Sequence, residues 1–148
     1  MKRSTFPCLG YTLELISDDT HIISLNRIEE ADLHIDESHQ RFIQELKEYE
    51  SHQRTRFDWP IIFNHTPFQI QVFKALQSIP CSEVRTYGEI AVMIGNPKAS
   101  RAVGQAISNN PVLIVIPCHR VVSSTGLGGF SSGLDLKKTL LNHETRLL

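Results

Sequence analysis

The apolar run Val112-Leu113-Ile114-Val115-Ile116 constrains this chain most, because it is fenced on both sides. Asn109-Asn110-Pro111 precedes it and Pro117 closes it. Five aliphatic residues without a polar interruption read as a short buried strand, and a proline cannot continue a ladder. Such a segment delivers the next residues, Cys118-His119-Arg120-Val121, at the edge of a core. A thiol beside an imidazole is one way to make a strong nucleophile, since the thiolate reacts and a nearby base or cation populates it. Taken alone, the two residues favour a plainer reading: a small buried cysteine next to an unrelated histidine. Neighbours on a regular strand point to opposite faces, so a working pair has to sit on a turn.

The 148 residues allow one ordinary domain or two small ones, and 41% apolar with 21% charged residues is the balance of a soluble globular chain. No apolar stretch approaches the roughly 18 residues of a membrane span. The N-terminus lacks the continuous apolar core of a secretory leader. The expectation is therefore a cytoplasmic protein with no targeting segment and no membrane contact. Cys8, Cys81 and Cys118 are too few and too scattered for a disulfide framework, which fits a reducing compartment. Neither Cys-x-x-Cys nor a His-x-x-x-His helix pair occurs, so no metal site is expected. Residues 1–82 hold 8 Lys/Arg against 12 Asp/Glu, and residues 83–148 hold 7 against 4, giving −4 and +3. The basic half permits a polyanion partner without demanding one.

The chain reads as α/β (α+β), with a small sheet-plus-helix unit at residues 1–62 and a mainly helical domain at 63–148. Residues 11–30 alternate in a strand-like way around Ser17-Asp18-Asp19-Thr20, which predicts a hairpin. Phe42, Ile43, Leu46 and Tyr49 recur at helical spacing. Thr66-Pro67 places a capping hydroxyl before a first-turn proline, opening a core helix whose apolar face includes Val72, Phe73 and Leu76. Two short helical patterns follow, Thr86 to Ile94 and Ala99 to Ile107, split by Gly95-Asn96-Pro97. That is helix-turn-helix spacing, which many αα-hairpins share without touching DNA. The second pattern is small on every face (Ala99, Ser100, Ala102, Val103, Gly104, Ala106), with Arg101 its only long cation. A mid-helix glycine costs about 0.5–1 kcal/mol relative to alanine, so a close approach to another surface is implied.

With these motifs in hand, the segment from about Thr66 to Glu144 resembles the catalytic domain of the O6-alkylguanine-DNA alkyltransferases, the methylated-DNA–protein-cysteine methyltransferases. The resemblance rests on Thr86-Tyr87-Gly88-Glu89-Ile90-Ala91, Ser100-Arg101-Ala102-Val103-Gly104-Gln105-Ala106, Asn110-Pro111, Ile116-Pro117-Cys118-His119-Arg120-Val121-Val122 and Gly128-Gly129-Phe130-Ser131-Ser132-Gly133-Leu134. It implies that Cys118 accepts the alkyl group once and irreversibly, that His119 takes its proton through a water, and that Glu144 holds His119. It further implies that Tyr87 donates to N3 of the leaving guanine and that Asn110 ties the recognition helix to the active-site segment. Arg101 would fill the gap left by the extruded nucleotide, with Ser100, Ala102, Gly104, Gln105 and Arg120 also at the DNA. Phe130, Ser131, Gly129 and Val121 would line the base pocket; the family often has tyrosine where Phe130 stands. The implied partner is double-stranded DNA containing O6-alkylguanine, bound by a monomer without a cofactor.

Three other readings share some of these features. An alkyltransferase-like binding protein would flip damaged guanine without a nucleophile, and such members commonly carry tryptophan in place of the cysteine. A plain helix-turn-helix regulator would need neither Cys-His-Arg nor a distal glutamate, and would carry more base-reading side chains than Arg101, Gln105 and Asn109. A cysteine hydrolase would need a dedicated oxyanion hole and leaves the paired helices unexplained.

Overall fold

A computed structural model describes residues 1–29 and 32–145, so positions 146–148 of the expected second domain lie outside the described residues. The chain forms two compact units, 1–63 and 64–148, of the α/β (α+β) class that the sequence implies.

In the first unit, β1 (Lys2–Cys8), β2 (Tyr11–Ser17) and β3 (Ile22–Ile28) form an antiparallel sheet in that order. The hairpin of β2 and β3 follows the alternation, which buries Leu13, Leu15 and Ser17 on one face of β2. The sequence reading missed β1. Pro7 interrupts its pattern, yet β1 is an edge strand, where a proline is tolerated. The turn into β2 uses Leu9 and Gly10, both left-handed at φ 52 and 86. Two such residues suit a tight two-residue hairpin, but leucine is not the residue type that signals one. Helix α1 (Gln40–Glu50) sends Ile43, Leu46 and Tyr49 into this unit's core.

In the second unit, α2 (Pro67–Gln77) begins at the expected cap: Thr66 Oγ1 accepts from Gln69 N, and Gln69 Oε1 accepts from Thr66 N. The same reciprocal cap starts α3 (Tyr87–Met93), between Thr86 and Glu89. Gly95, at φ 79, lies in the turn that leads to α4 (Ser100–Ile107). Val72, Phe73, Leu76, Ile90, Val103 and Ala106 are buried where these three helices pack. A two-rung parallel ladder joins β4 (Arg85–Thr86) to β5 (Val121–Val122), and α5 (Leu134–Thr145) closes the described chain.

The run Val112–Ile116 is buried as expected but is not a strand. Val115 N donates to Leu113 O at 2.7 Å and Ile116 N to Val112 O at 3.0 Å, while Ile114 is left-handed at φ 71. The Asn110 amide supplies bonds that a ladder would have made: Nδ2 donates to Ile116 O at 2.7 Å, and Oδ1 accepts from Val112 N at 2.9 Å. An unbroken apolar run reports burial without fixing backbone conformation, and a side-chain amide satisfied this backbone instead of a neighbouring strand.

Candidate active site

The folded run ends in a single 3₁₀ turn, Cys118–Arg120, capped by Pro117. Here the backbone places adjacent side chains on neighbouring faces, which a strand would not do. Cys118 is 4% exposed and His119 is fully buried. His119 Nε2 lies 2.6 Å from Glu144 Oε2, near the C-terminal end of α5.

That contact fixes the state of the imidazole. Burial alone would push Glu144 up, but the bonds and charges of His119 and Arg120 hold it well below the usual carboxylate range. An ionised carboxylate only accepts, so His119 Nε2 is the donor and, in the neutral ring, Nδ1 is left as the acceptor. Nδ1 is buried and has no hydrogen-bond partner among the described residues. Burial also lowers the proton affinity of His119, opposed by Glu144 and reinforced by Arg120 and Lys137. The ring is therefore a neutral base with one free lone pair.

Arg120 corrects an expectation. Expected at the DNA, it is 5% exposed, and its guanidinium is committed inward. Nε and Nη2 donate to the two oxygens of Glu144 at 2.8 and 2.9 Å, and Nη1 donates to Ile79 O at 2.8 Å. A charge this buried persists because a carboxylate meets its fork bidentately. Val121, expected in the pocket wall, has a fully buried side chain, and Arg85 is its partner in the β4–β5 ladder.

Sequence reasoning missed Lys137. It is fully buried on α5, and its Nζ donates to Val121 O at 2.6 Å and Gly129 O at 3.0 Å. Burial pushes its ammonium down to about 8, while the Cys118 sulfur pulls the other way. Burial pushes the Cys118 thiol up to about 11, against a hydrogen bond to Asn110, the charge of Lys137, and the backbone N–H groups of Cys118 and His119. The spacing held a signal: Lys137 lies two helical turns before Glu144, so both share the face that buries Leu140. Lysine is so regularly a surface residue that this spacing alone does not single it out.

The β4–β5 ladder brings the start of α3 beside the segment that carries Cys118. Tyr87 is half-buried there, its ring near Gly104 on one side and its hydroxyl over Gly128 on the other. Gly128 sits at φ 77, and a Cβ on it would fall 2.9 Å from Tyr87 Oη, so this glycine is required twice over. Phe130 is half-buried with Lys137 Nζ 5.8 Å from its ring centroid, while Gly129 and Ser131 are exposed. On α4, Arg101, Ala102 and Gln105 are exposed and Ser100 and Gly104 half-exposed, forming a shallow face. Among the described residues, no group of three or more His, Cys, Asp or Glu side chains is arranged to hold a metal, and no helix is long and apolar enough to cross a membrane.

Residues 67–146 match the family described as 6-O-methylguanine DNA methyltransferase, DNA binding domain. A methylated-DNA–protein-cysteine methyltransferase of Methanosarcina mazei is 52% identical over 101 residues, covering 68% of this chain and 64% of that protein. One from Metallosphaera sedula is 40% identical over 139 residues, covering 92% of this chain and 88% of that protein. Among solved structures, Mycobacterium tuberculosis OGT in complex with DNA superposes with a TM-score of 0.89 at 35% identity, covering 98% of this chain and 93% of that one. The match to the Methanosarcina protein thus falls short of two thirds of its length, while the other two are covered almost throughout. On this evidence, with a buried His119–Glu144 pair following Cys118 at its centre, the chain belongs to the 6-O-methylguanine DNA methyltransferase family.

Proposed function

We propose that this chain repairs DNA by transferring a methyl or larger alkyl group from O6 of guanine, and less efficiently from O4 of thymine, to Sγ of Cys118. The observation that carries the reading is the neutral His119, adjacent in sequence to Cys118, held through Nε2 by an ionised Glu144 and left with an unpartnered Nδ1. A thiol that burial holds near 11 is almost wholly protonated at neutral pH, so it needs such a base.

The reaction is written as a displacement. A water passes the Cys118 proton to His119 Nδ1, and Glu144 stabilises the resulting imidazolium. Sγ attacks the alkyl carbon from behind, an S–C bond forms, and the C–O6 bond breaks with its electron pair going to the purine. A hydrogen bond from the Tyr87 hydroxyl to N3 stabilises that charge as it develops, and the thiol proton finally balances it. Lys137 and the two backbone N–H groups favour the thiolate along the way. The thioether is stable, so each molecule acts once, as a stoichiometric methylated-DNA–[protein]-cysteine S-methyltransferase.

The partner is duplex DNA, with the damaged nucleotide turned out of the stack at a cost of about a few kcal/mol. Arg101 enters the gap, and Ser100, Ala102, Gly104 and Gln105 form the close-fitting face around it. Residues 63–148 bind and react; residues 1–62 act as scaffold. The protein works as a monomer in the compartment that holds the DNA, the cytoplasm in a prokaryote. The names of its relatives and the OGT–DNA complex support this reading.

Mass spectrometry tests it. Incubation with duplex containing O6-methylguanine is expected to add one methyl to the Cys118 peptide, and Cys118→Ala is expected to bind that duplex unmethylated. Protein that binds the duplex yet keeps Cys118 unmodified would be a damage-binding protein instead.

A further inference from the structure

The pair that holds His119 is itself held by a turn. Ile79 O accepts from Arg120 Nη1 at 2.8 Å, and Ser82 N donates to Glu144 Oε1 at 3.4 Å. Glu83 N closes the turn on Pro80 O at 3.1 Å. Ser82 is left-handed at φ 72, a conformation that side-chain-bearing residues rarely adopt without an external reason. Between these contacts lies Cys81, whose thiol faces both the Arg120 guanidinium and the Glu144 carboxylate. Cys81 is half-buried, whereas Arg120, Glu144 and His119 are 5%, 1% and 0% exposed.

We propose that the Ile79–Ser82 segment positions the Arg120–Glu144 pair, and that an uncharged side chain at position 81 leaves the Arg120 fork to Glu144 and so holds His119 as a neutral base. The proposal rests on the alkyl-transfer reading and adds to it a residue that touches neither sulfur nor base. The charged groups facing His119 are Glu144, Arg120 and Lys137; Cys81 faces the first two. Burial, reinforced by Glu144, keeps the Cys81 thiol protonated, so position 81 is electrically neutral in the native chain. A carboxylate there would compete for the Arg120 fork. More of the Glu144 charge would then be left for the imidazole, and His119 would take up a proton at higher pH. An ammonium at 81 would oppose Glu144 and move His119 the other way.

The experiment is the pH profile of single-turnover methyl transfer from an O6-methylguanine duplex, for the wild type, Cys81→Ser, Cys81→Asp and Cys81→Lys. The acid limb reports His119 losing its base function. It is expected to move up by about half a unit or more with aspartate, down by a similar amount with lysine, and by less than about 0.2 unit with serine. Loss of packing alone would slow all variants without opposite shifts. Shifts of the same sign, or none, in folded variants would overturn the proposal. Thermal melting identifies a variant that fails to fold, and the remaining charge sign then decides alone against serine. If neither charged variant folds, Cys81→Asn, a neutral competitor for Arg120, is expected to move the limb upward by a smaller amount, and an unmoved limb would overturn the proposal. A wild type that transfers nothing to Cys118 would instead sink the alkyl-transfer reading.

Discussion

Each unit of this protein buries a histidine and a cysteine, and the two units surround them differently. In the first unit, His39 is 1% exposed, with Nδ1 2.6 Å from Ser4 Oγ and Nε2 2.7 Å from Ser17 Oγ. Both nitrogens are satisfied by neutral hydroxyls, so the ring is a strut. In the second unit, His119 has a carboxylate on one nitrogen and a free lone pair on the other. The thiols differ in the same way. Burial and the nearby Glu50 push Cys8 up to about 12 with nothing opposing them, whereas Asn110, Lys137 and two backbone amides oppose the burial of Cys118. Burial is common to both units; the neighbouring charges and the unpartnered nitrogen set the second pair apart.

The largest effect should come from removing the acid. Glu144→Ala leaves Arg120 buried without its counter-charge and is expected to cost about 3–5 kcal/mol and to slow methyl transfer at least a hundredfold. His39→Ala loses two neutral hydrogen bonds, about 1–3 kcal/mol, and should leave transfer intact. Denaturant melts and single-turnover assays on both variants check this; a slowed His39 variant would erase the distinction. Next, Lys137→Met should make Cys118 resemble Cys8. Its reaction with a small haloacetamide at neutral pH is expected to fall about tenfold for each unit by which the thiol rises, and an unchanged rate would remove the ammonium from the account.

The smallest effect concerns acid, where the two histidines should behave alike. Burial lowers the proton affinity of both His39 and His119 below the ordinary 6.5. Below that pH the unfolded chain binds more protons than the folded one, so stability is complete above about 6.5 and declines as pH falls. Melting temperatures of the wild type and His39→Gln, measured from neutral to mildly acid pH, should converge on acidification as the wild type loses the advantage of its neutral ring. Parallel curves would mean that His39 titrates normally.

Much of the site was legible because it is written in local runs. The cap at Thr66, the breaks at Gly95-Asn96-Pro97 and the Cys118-His119 pair each act within a few residues, where sequence spacing and geometry coincide. Asn110 is singled out by the family resemblance, and its two bonds run only two and six residues along the chain. What escaped depends on distant partners. The inward turn of Arg120 needs Ile79 and Glu144, respectively 41 and 24 residues away. The Lys137 ammonium finds its carbonyls 16 and 8 residues back. Val112–Ile116 reads as a strand yet folds as a turn because apolar content measures depth, whereas one amide outside the run decides between ladder and turn. β1 was missed because the hairpin turn at Leu9 lacks the residue type that announces it.

The seam between β4 and β5 carries a mechanical corollary. Tyr87 follows β4 directly, and Cys118 lies three positions before Val121 of β5, so two hydrogen-bonded rungs anchor hydroxyl and sulfur to one pivot. Force on the backbone leading into α3 is therefore passed across those rungs to the strand that follows the Cys118 turn, so the two segments are tied to each other and not only to the helices behind them.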